Sequence, residues 1–396
     1  MSISENMKLS MQKSSWIREM FEQGQRLKQV HGEDQVFDFS LGNPIVEPPP
    51  QVYEVLLRLL KEDPQGAHRY MPNAGFASTR DSIAEELRHE TGLAFTAADV
   101  TMCVGAGGGL NSLFKALLDP GEEVLVMAPY FVEYGAYAQN HGGVLTVADT
   151  DESFQLDLEQ IEQKLTGRTK IVMINSPNNP TGAVYSQELL EALGKLLAEK
   201  EKEFGHPIFL VSDDPYRYLI FDDLVPGNIF RSHLNSVMVT SHSKDLALPG
   251  ERIGFIAIHP EMEDRTDLQN ALALSTRILG FVNAPALMQR ILPHLKGVRI
   301  PSESYQHLRD IFYDGLSRMG FEICKPKGTF YIFPKSPIPD DVEFVKQALA
   351  ENILLVPGSG FGGPGYFRIA FCCTEDLILR SFPRFENLAR KFGLVG

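Results

Sequence analysis

The sequence predicts an α/β fold, with a large domain on a mostly parallel sheet covered by helices and a smaller α+β domain near the C-terminal end. Three observations lead there. Between residues 100 and 258, short apolar runs rich in β-branched residues alternate with helical stretches. Those runs carry little polar alternation, as strands do when helices cover both faces of a sheet. After about residue 285 the pattern changes, and helical and strand-like segments follow one another singly. The 396 residues, 43% hydrophobic and 22% charged, have an ordinary globular composition and length enough for roughly two or three domains.

Taken in order, the chain opens with MSISENMKLSMQKSSWIREM, which has no continuous apolar stretch and is not read as a signal peptide. Residues 14–30 space Ile17, Met20, Phe21 and Leu27 as one helical face, with Trp16 a turn before Met20, and predict an amphipathic arm helix. Residues 42–50 read as extended, because the residues before Pro44 and Pro48 to Pro50 are pushed out of the α region. Strands are predicted at 100–104, 124–127, 171–174, 208–211, 237–239 and 255–258, with a helix beginning near Leu110. A further helix at 186–202 carries Leu189, Leu190, Leu193 and Leu197 on one side. The last third reads as a helical stretch near 302–319 that leads into segments at 329–333, 343–351 and 366–371, the last an apolar strand, in a mixed α+β pattern. The boundaries are drawn as an arm with part of the small domain at 1–48, the large domain at 49–288 and the small domain at 289–396.

The net charge of −14 disfavours nucleic acid and anionic membrane surfaces as partners, so a bound anion needs a local basic site. No stretch approaches the roughly 18 apolar residues of a membrane-spanning helix. Cys103, Cys324, Cys372 and Cys373 fit neither a zinc spacing nor a disulfide framework. They are expected to be buried free thiols of a cytoplasmic protein, and no metal site is expected.

Ligands of open α/β sheets bind beyond the carboxyl ends of the strands. Five polar segments follow the predicted strands and should converge on one rim. Gly105 to Gly109 lets a ligand approach the backbone, and the helix after it would aim amides at an anion. Leu110 stands where a dinucleotide fingerprint needs glycine, which disfavours that reading. Lys244, between Ser241, Ser243 and Arg252, has the setting of a Schiff-base lysine beside a phosphate. Asp213, with Asp214 as its rival, ends a buried strand and suits a pyridinium nitrogen or a turn. Asn179 and Tyr216 offer neutral hydrogen bonds to a phenolate oxygen, and Phe131 a flat ring for stacking. Arg252 and Ser241 could hold the phosphate. Arg368, in an otherwise apolar strand, wants a substrate carboxylate or a structural Asp or Glu.

Together these pieces resemble the fold-type I pyridoxal phosphate enzymes, in the class I and II aminotransferase family that includes aspartate aminotransferase. They occur in family order over most of the chain. Tyr70 stands in Tyr-Met-Pro-Asn-Ala-Gly, followed by Gly105-Ala106-Gly107 and the run from Pro129 to Tyr134. Ser176 to Gly182, Asp213-Asp214-Pro215-Tyr216, and Ser241 to Lys244 with Arg252 come next, then Pro357-Gly358 with Phe361, and Phe367-Arg368.

The resemblance implies pyridoxal 5′-phosphate as cofactor and transfer of an amino group between an α-amino acid and a 2-keto acid by a ping-pong mechanism. It implies that Lys244 forms the Schiff base and then carries the proton, and that Asp213 pairs with the ring nitrogen. By the same resemblance Asn179 and Tyr216 bond the ring oxygen, Phe131 stacks, and Ala106, Gly107, Ser241 and Arg252 hold the phosphate. Arg368, with Asn179 and the Gly42 backbone, takes the substrate α-carboxylate. Tyr70 reaches a neighbouring subunit's phosphate, which implies a homodimer with shared sites, and the Asn179–Pro180 bond is implied to be cis. Two positions depart from the family pattern: Gly107 stands where dicarboxylate-specific bacterial members often have lysine, and Phe131 replaces the usual Trp or Tyr. Carbon–sulfur β-lyase or other α-carbon chemistry on the same fold is the alternative. A ligand-sensing transcription regulator is disfavoured, because only about 40 residues precede Gly42.

Overall fold

Alternate residues of a strand face opposite sides, and in the main sheet of this protein both sides are dry. The structure is a computed structural model describing residues 3–5, 7, 8, 16–62 and 65–395. Strand β1 (Phe37–Asp38) stands apart from this sheet. The sheet itself contains β2 (Val100–Cys103), β3 (Glu123–Ala128), β4 (Val144–Asp149), β5 (Thr169–Ile174), β6 (Phe209–Asp213), β7 (Ser236–Ser241) and β8 (Gly254–Ile258), in the order β2-β8-β7-β6-β5-β3-β4. Pairings from β7 through β4 are parallel, and β8 runs antiparallel to both neighbours.

Helices α1 (Trp16–His31), α2 (Pro50–Glu62), α3 (Ala77–Thr91), α4 (Gly105–Leu117), α5 (Glu133–Asn140), α6 (Leu158–Lys164), α7 (Gln187–Phe204) and α8 (Arg265–Ile278) surround it. Val124 and Val126 of β3 share a core with Leu110, Leu113 and Phe114 of α4 and Leu272 of α8. Leu125 and Met127 share another with Ile83 and Leu87 of α3 and Leu190 and Leu193 of α7. Strands between two such layers gain nothing from polar alternation, which is why their sequences show none. Each fully buried Leu or Val contributes about 1.5–3 kcal/mol by leaving water.

Helices α9 (Ala286–Ile291), α10 (Ser302–Arg318), α11 (Asp341–Ala350) and α12 (Glu375–Lys391) follow, with short strands β9 (Tyr331–Ile332), β10 (Ile353–Leu354), β11 (Val356–Pro357) and β12 (Phe367–Ala370). Strands β11, β12 and β9 pair antiparallel, while β1 pairs parallel with β10. A third core joins Phe37 and Phe39 to Phe312, Phe330, Phe344, Phe367 and Phe385. The segment after α1 is thus built into the core of the last hundred residues. Its Phe39 carbonyl accepts from the Ala370 amide at 2.8 Å.

Several expectations need correction. Helix α4 begins at Gly105, not near Leu110: Gly108 and Gly109 lie buried in its first turns against the sheet, so the glycine run is helix, not loop. Strand β4 was absent from the expected set, because an edge strand with exposed and half-buried positions shows no apolar run. Cys324 is exposed, whereas Cys103, Cys372 and Cys373 are buried. Helix α7 closely matches the expected helix, and the Ser186 side chain caps it by accepting from the Leu189 amide at 3.2 Å. The expected start of the arm helix at Ser14 lies outside the described residues. Among the described residues, no helix is long and apolar enough to cross a membrane.

Candidate active site

The alternation of β6 decides which carboxylate faces the site. Val211 lies in the core under α4, and Leu210 lies in the opposite one. Asp213 therefore points to the α4 side and Asp214 away from it. Asp213 Oδ2 accepts from the Tyr134 hydroxyl at 2.7 Å, while Oδ1 is buried without a hydrogen-bond partner. Burial pushes the Asp213 carboxyl up to about 7, the Tyr134 bond pulls it back, and the neighbouring Asp214 raises it. Asp214 instead accepts from the Ser212 hydroxyl, and burial lifts it to about 6.

Strand β7 repeats the logic. Val237 and Val239 face the α4 side, and so does Ser241 at its end. Ser241 Oγ donates to Ser243 Oγ at 3.1 Å. The turn that follows delivers Lys244, whose Nζ donates to the Gly42 carbonyl at 2.8 Å and lies 5.1 Å from the Phe330 ring centre. Desolvation lowers the Lys244 amine to about 8; Cys372 opposes this, and the Arg368 and Arg252 cations add to it. Gly42 has no alternative at its place, because a side-chain carbon there would run into the Tyr331 hydroxyl.

Arg252 adopts a left-handed backbone, φ 52°, costly for a residue other than glycine at about 1 kcal/mol or more. That turn lays its guanidinium against Gly105, filling the space a side chain would occupy. Nη1 donates to the Pro249 carbonyl at 2.9 Å. On the opposite wall, Arg368 Nη1 donates to Asn179 Oδ1 at 3.1 Å and Nη2 to the Ser40 carbonyl at 2.7 Å. Its guanidinium lies 4.5 Å from the Tyr331 ring centre and 4.7 Å from that of Phe361, and its Nε is buried without a partner. Asn175 ties the floor together, donating to the Asp213 carbonyl at 2.6 Å and accepting from the Asn179 amide at 2.6 Å. The Tyr216 and Tyr331 hydroxyls are 3.1 Å apart. Burial pushes the Tyr134 and Tyr216 phenols up, so both keep their protons at neutral pH.

These groups surround one cavity of about 360 Å³. Gly42, Ala106, Gly107, Phe131, Asn179, Asp213, Tyr216, Ser241, Lys244, Arg252 and Arg368 all line it, as the sequence places them together. Tyr70 does not: it is 89% exposed and outside the lining. The peptide bond before Pro180 is cis, as are those before Pro129 and Pro177.

Five polar lining residues escaped the sequence reading as site residues. Tyr134 stands one helical turn after Phe131, a spacing that could have exposed it. Asn175 directly follows the apolar run of β5. Tyr331 sits among Phe330 and Phe333 and reads as core. Glu133 and Tyr137, one turn apart on α5, read as an ordinary helix surface. Glu133 Oε2 is buried and has no partner. Burial raises its carboxyl, while its own backbone amide and the Arg368 charge pull it back.

The donor set fits pyridoxal phosphate. Arg252, Ser241 and the α4 amides suit a dianion, and the bare Asp213 oxygen suits a cationic ring nitrogen. A lysine softened by burial suits a carbonyl.

Comparison with known proteins agrees. A family model described as aminotransferase class I and II matches residues 34–381. The chain is similar to the aspartate/prephenate aminotransferase of Thermus thermophilus, 34% identical over 358 residues, covering 88% of this chain and 90% of that protein. It is 29% identical to the aspartate aminotransferase of Bacillus subtilis, covering 90% and 92%. Among solved structures, an amino transferase from Eubacterium rectale superposes with a TM-score of 0.96 at 37% identity, covering 99% of each chain. Aspartate aminotransferase from Thermus thermophilus with maleate gives 0.85 at 28% identity, covering 98% of this chain and all of that one, 100%.

Proposed function

The chain belongs to the class I and II aminotransferases, and from that premise we propose how its site divides the work. The protein moves an amino group between an α-amino acid and a 2-keto acid, with pyridoxal 5′-phosphate as cofactor. Bound in the cavity, the cofactor supplies a carbonyl that captures amines and a ring that takes up the electron pair left when the substrate Cα loses its proton.

The chain's own residues do the rest. Asp213 holds the ring nitrogen as a cation, and Tyr134 holds Asp213 in place and charged. Asn179 and Tyr216 hold the ring oxygen, and Phe131 packs on the ring. Arg252, Ser241 and the amides of Ala106 and Gly107 hold the phosphate. Arg368, aligned by Asn179 and Ser40 and flanked by Tyr331 and Phe361, forks onto the substrate α-carboxylate, with the Gly42 backbone beside it. Lys244 first tethers the cofactor and then moves the proton at the substrate Cα. An amine lowered to about 8 has an appreciable unprotonated share near neutral pH, which a general base needs. The same residues act on donor and acceptor in turn, so the kinetics are ping-pong.

Tyr70, exposed here, serves the site of a second copy in a homodimer. We also propose a cytoplasmic location, and the domain limits 1–48, 49–288 and 289–396, with the aromatic core of the last hundred residues as the small domain.

The names of the relatives point to aspartate as donor. In this cavity the lining cations are Lys244, Arg252 and Arg368. The assigned roles use all three, and among the described residues no lining cation is left for a second carboxylate.

The observation that carries this reading is the convergence of Lys244, Asp213, Arg252 and Arg368 on one cavity. Visible spectra of the purified protein and of Lys244→Ala, recorded as amino acids are added, test it. A parent without cofactor absorbance, or a variant with unchanged turnover, would sink it.

A further inference from the structure

One wall of the cavity lacks an assigned task. Glu133 and Tyr137 lie one turn apart on α5, so they share a face, and both line the cavity. The Tyr137 hydroxyl stands 3.0 Å from where a side chain on Gly107 would begin. A side chain at position 107 would thus start in tight contact with Tyr137, which occupies this corner. Among the described residues, this corner holds a carboxylate and a phenol and no cation.

Glu133 Oε2 is buried and meets no hydrogen-bond donor. A buried carboxylate oxygen left bare is costly, and such groups are ordinarily partnered. Arg368 is near enough to influence Glu133 electrostatically, yet its Nη1 and Nη2 donate to Asn179 and Ser40, and its Nε makes no hydrogen bond to Glu133. Among the described residues no donor meets Oε2, which leaves it open to a donor carried by what enters the cavity. Glu133 and Arg368 line the same cavity, so a substrate held by Arg368 at its α-carboxylate can bring its side chain to Glu133.

We propose that Glu133 sets the substrate side chain, accepting a hydrogen bond from amino acids that end in a carboxamide or an amine and turning away dicarboxylates. This rests on the aminotransferase reading above. Two carboxylates facing each other in a closed site repel, which disfavours a dicarboxylate substrate there. A site built to accept a substrate hydrogen bond discriminates strongly against analogues lacking it.

The test uses the holoenzyme, its Glu133→Gln and Glu133→Ala variants, and two readouts. The first is kcat/KM for converting the bound cofactor to its amine form with glutamine, lysine, aspartate and glutamate. The second, which needs no turnover, is calorimetric affinity for glutaramate against glutarate, an amide-ended and a carboxylate-ended ligand without an α-amino group. The wild type is expected to favour glutamine or lysine over either dicarboxylate by at least about tenfold, and glutaramate over glutarate likewise. Both ratios should shrink about tenfold or more in Glu133→Ala, and Glu133→Gln should lose preference for lysine before glutamine. A wild type that prefers aspartate overturns the assignment, as do ratios unmoved by both variants. A dimer weakened by Glu133→Ala with the substrate profile intact also overturns it, since Glu133 would then be partnered across the interface. If no amino acid converts the cofactor, the aminotransferase reading of the site fails, while the two calorimetric ligands still decide on Glu133.

Discussion

Tyr134 and Asp213 lie 79 positions apart in the chain, yet the tyrosine hydroxyl donates to the carboxylate at 2.7 Å. The bond joins the first turn of α5 to the end of β6 beneath the cavity floor. It favours the charged carboxylate against a burial that favours the neutral acid.

Tyr134→Phe removes the one donor seen on Asp213 and should push its carboxyl further up. Cofactor affinity then falls, by about 5- to 30-fold for the loss of a charge-assisted bond of about 1–2 kcal/mol. The loss deepens as pH drops through 7, because protonated Asp213 pairs poorly with a cationic ring. Titration of apoprotein with cofactor at pH 6 and 8 checks both parts, and equal affinities of variant and parent at both would refute them.

Asp213 also makes the apoprotein pH-sensitive. Its folded value, about 7, lies above the usual carboxylate range, so the folded state binds the proton more tightly than the unfolded state. Stability from this group is then present at low pH and lost as pH rises from about 4 to 7. Asp213→Asn should flatten that decline and leave the apoprotein more stable than the parent at pH 8, on the order of 1–3 kcal/mol. Thermal melts of both apoproteins from pH 5 to 8 read it out; parallel curves would count against it.

In the apoprotein, the Lys244 amine at about 8 should react with an amine-directed reagent along a titration curve centred near that pH, while ordinary surface lysines follow one near 10.4. Peptide mass spectrometry after timed labelling resolves them. In the loaded enzyme, Lys244→Ala should slow proton transfer about 10²- to 10⁴-fold, the range of a lost general base. Rapid-mixing spectra measure that rate.

Arg368→Lys keeps the charge and loses the fork. A lysine cannot reproduce two parallel hydrogen bonds or lie flat between Tyr331 and Phe361. KM for amino acids should rise about 10- to 100-fold with cofactor affinity unchanged. Steady-state kinetics beside a cofactor titration separates the two, and a matching fall in cofactor affinity would contradict the role.

Gly42→Ala places a methyl against the Tyr331 hydroxyl. Activity should fall about tenfold or more, and Tyr331→Phe added to it should restore part of the loss. A double-mutant cycle on turnover and melting temperature measures that coupling. Simple additivity would mean the two do not meet.

The residues that spoke in the sequence were those whose chemistry conflicts with their surroundings. Arg368 in an apolar strand, Asp213 at a buried strand end and Lys244 among serines each needed a partner, and each lines the cavity. Tyr331 and Tyr134 were silent because a buried tyrosine beside phenylalanines costs nothing unusual to read. Glu133 was silent because acids are common in the first turn of a helix. Strand β4 was silent because an edge needs no apolar run, and the start of α4 was misread because glycines that let a helix lie close to a sheet resemble loop glycines.

The bond between Arg368 and the Ser40 carbonyl spans 328 positions, and β1 pairs with β10 from the far end of the chain. Domains generally fold in the order they are synthesised, N-terminal parts first. Here the ribosome delivers Ser40 and Gly42 long before Phe330, Tyr331 and Arg368, so one wall of the pocket waits for its counterpart through most of translation. Lys244 and Asp213 can meet a cofactor before the wall that contains Arg368 exists. The seat proposed for the substrate α-carboxylate is therefore the last part of the site to be made.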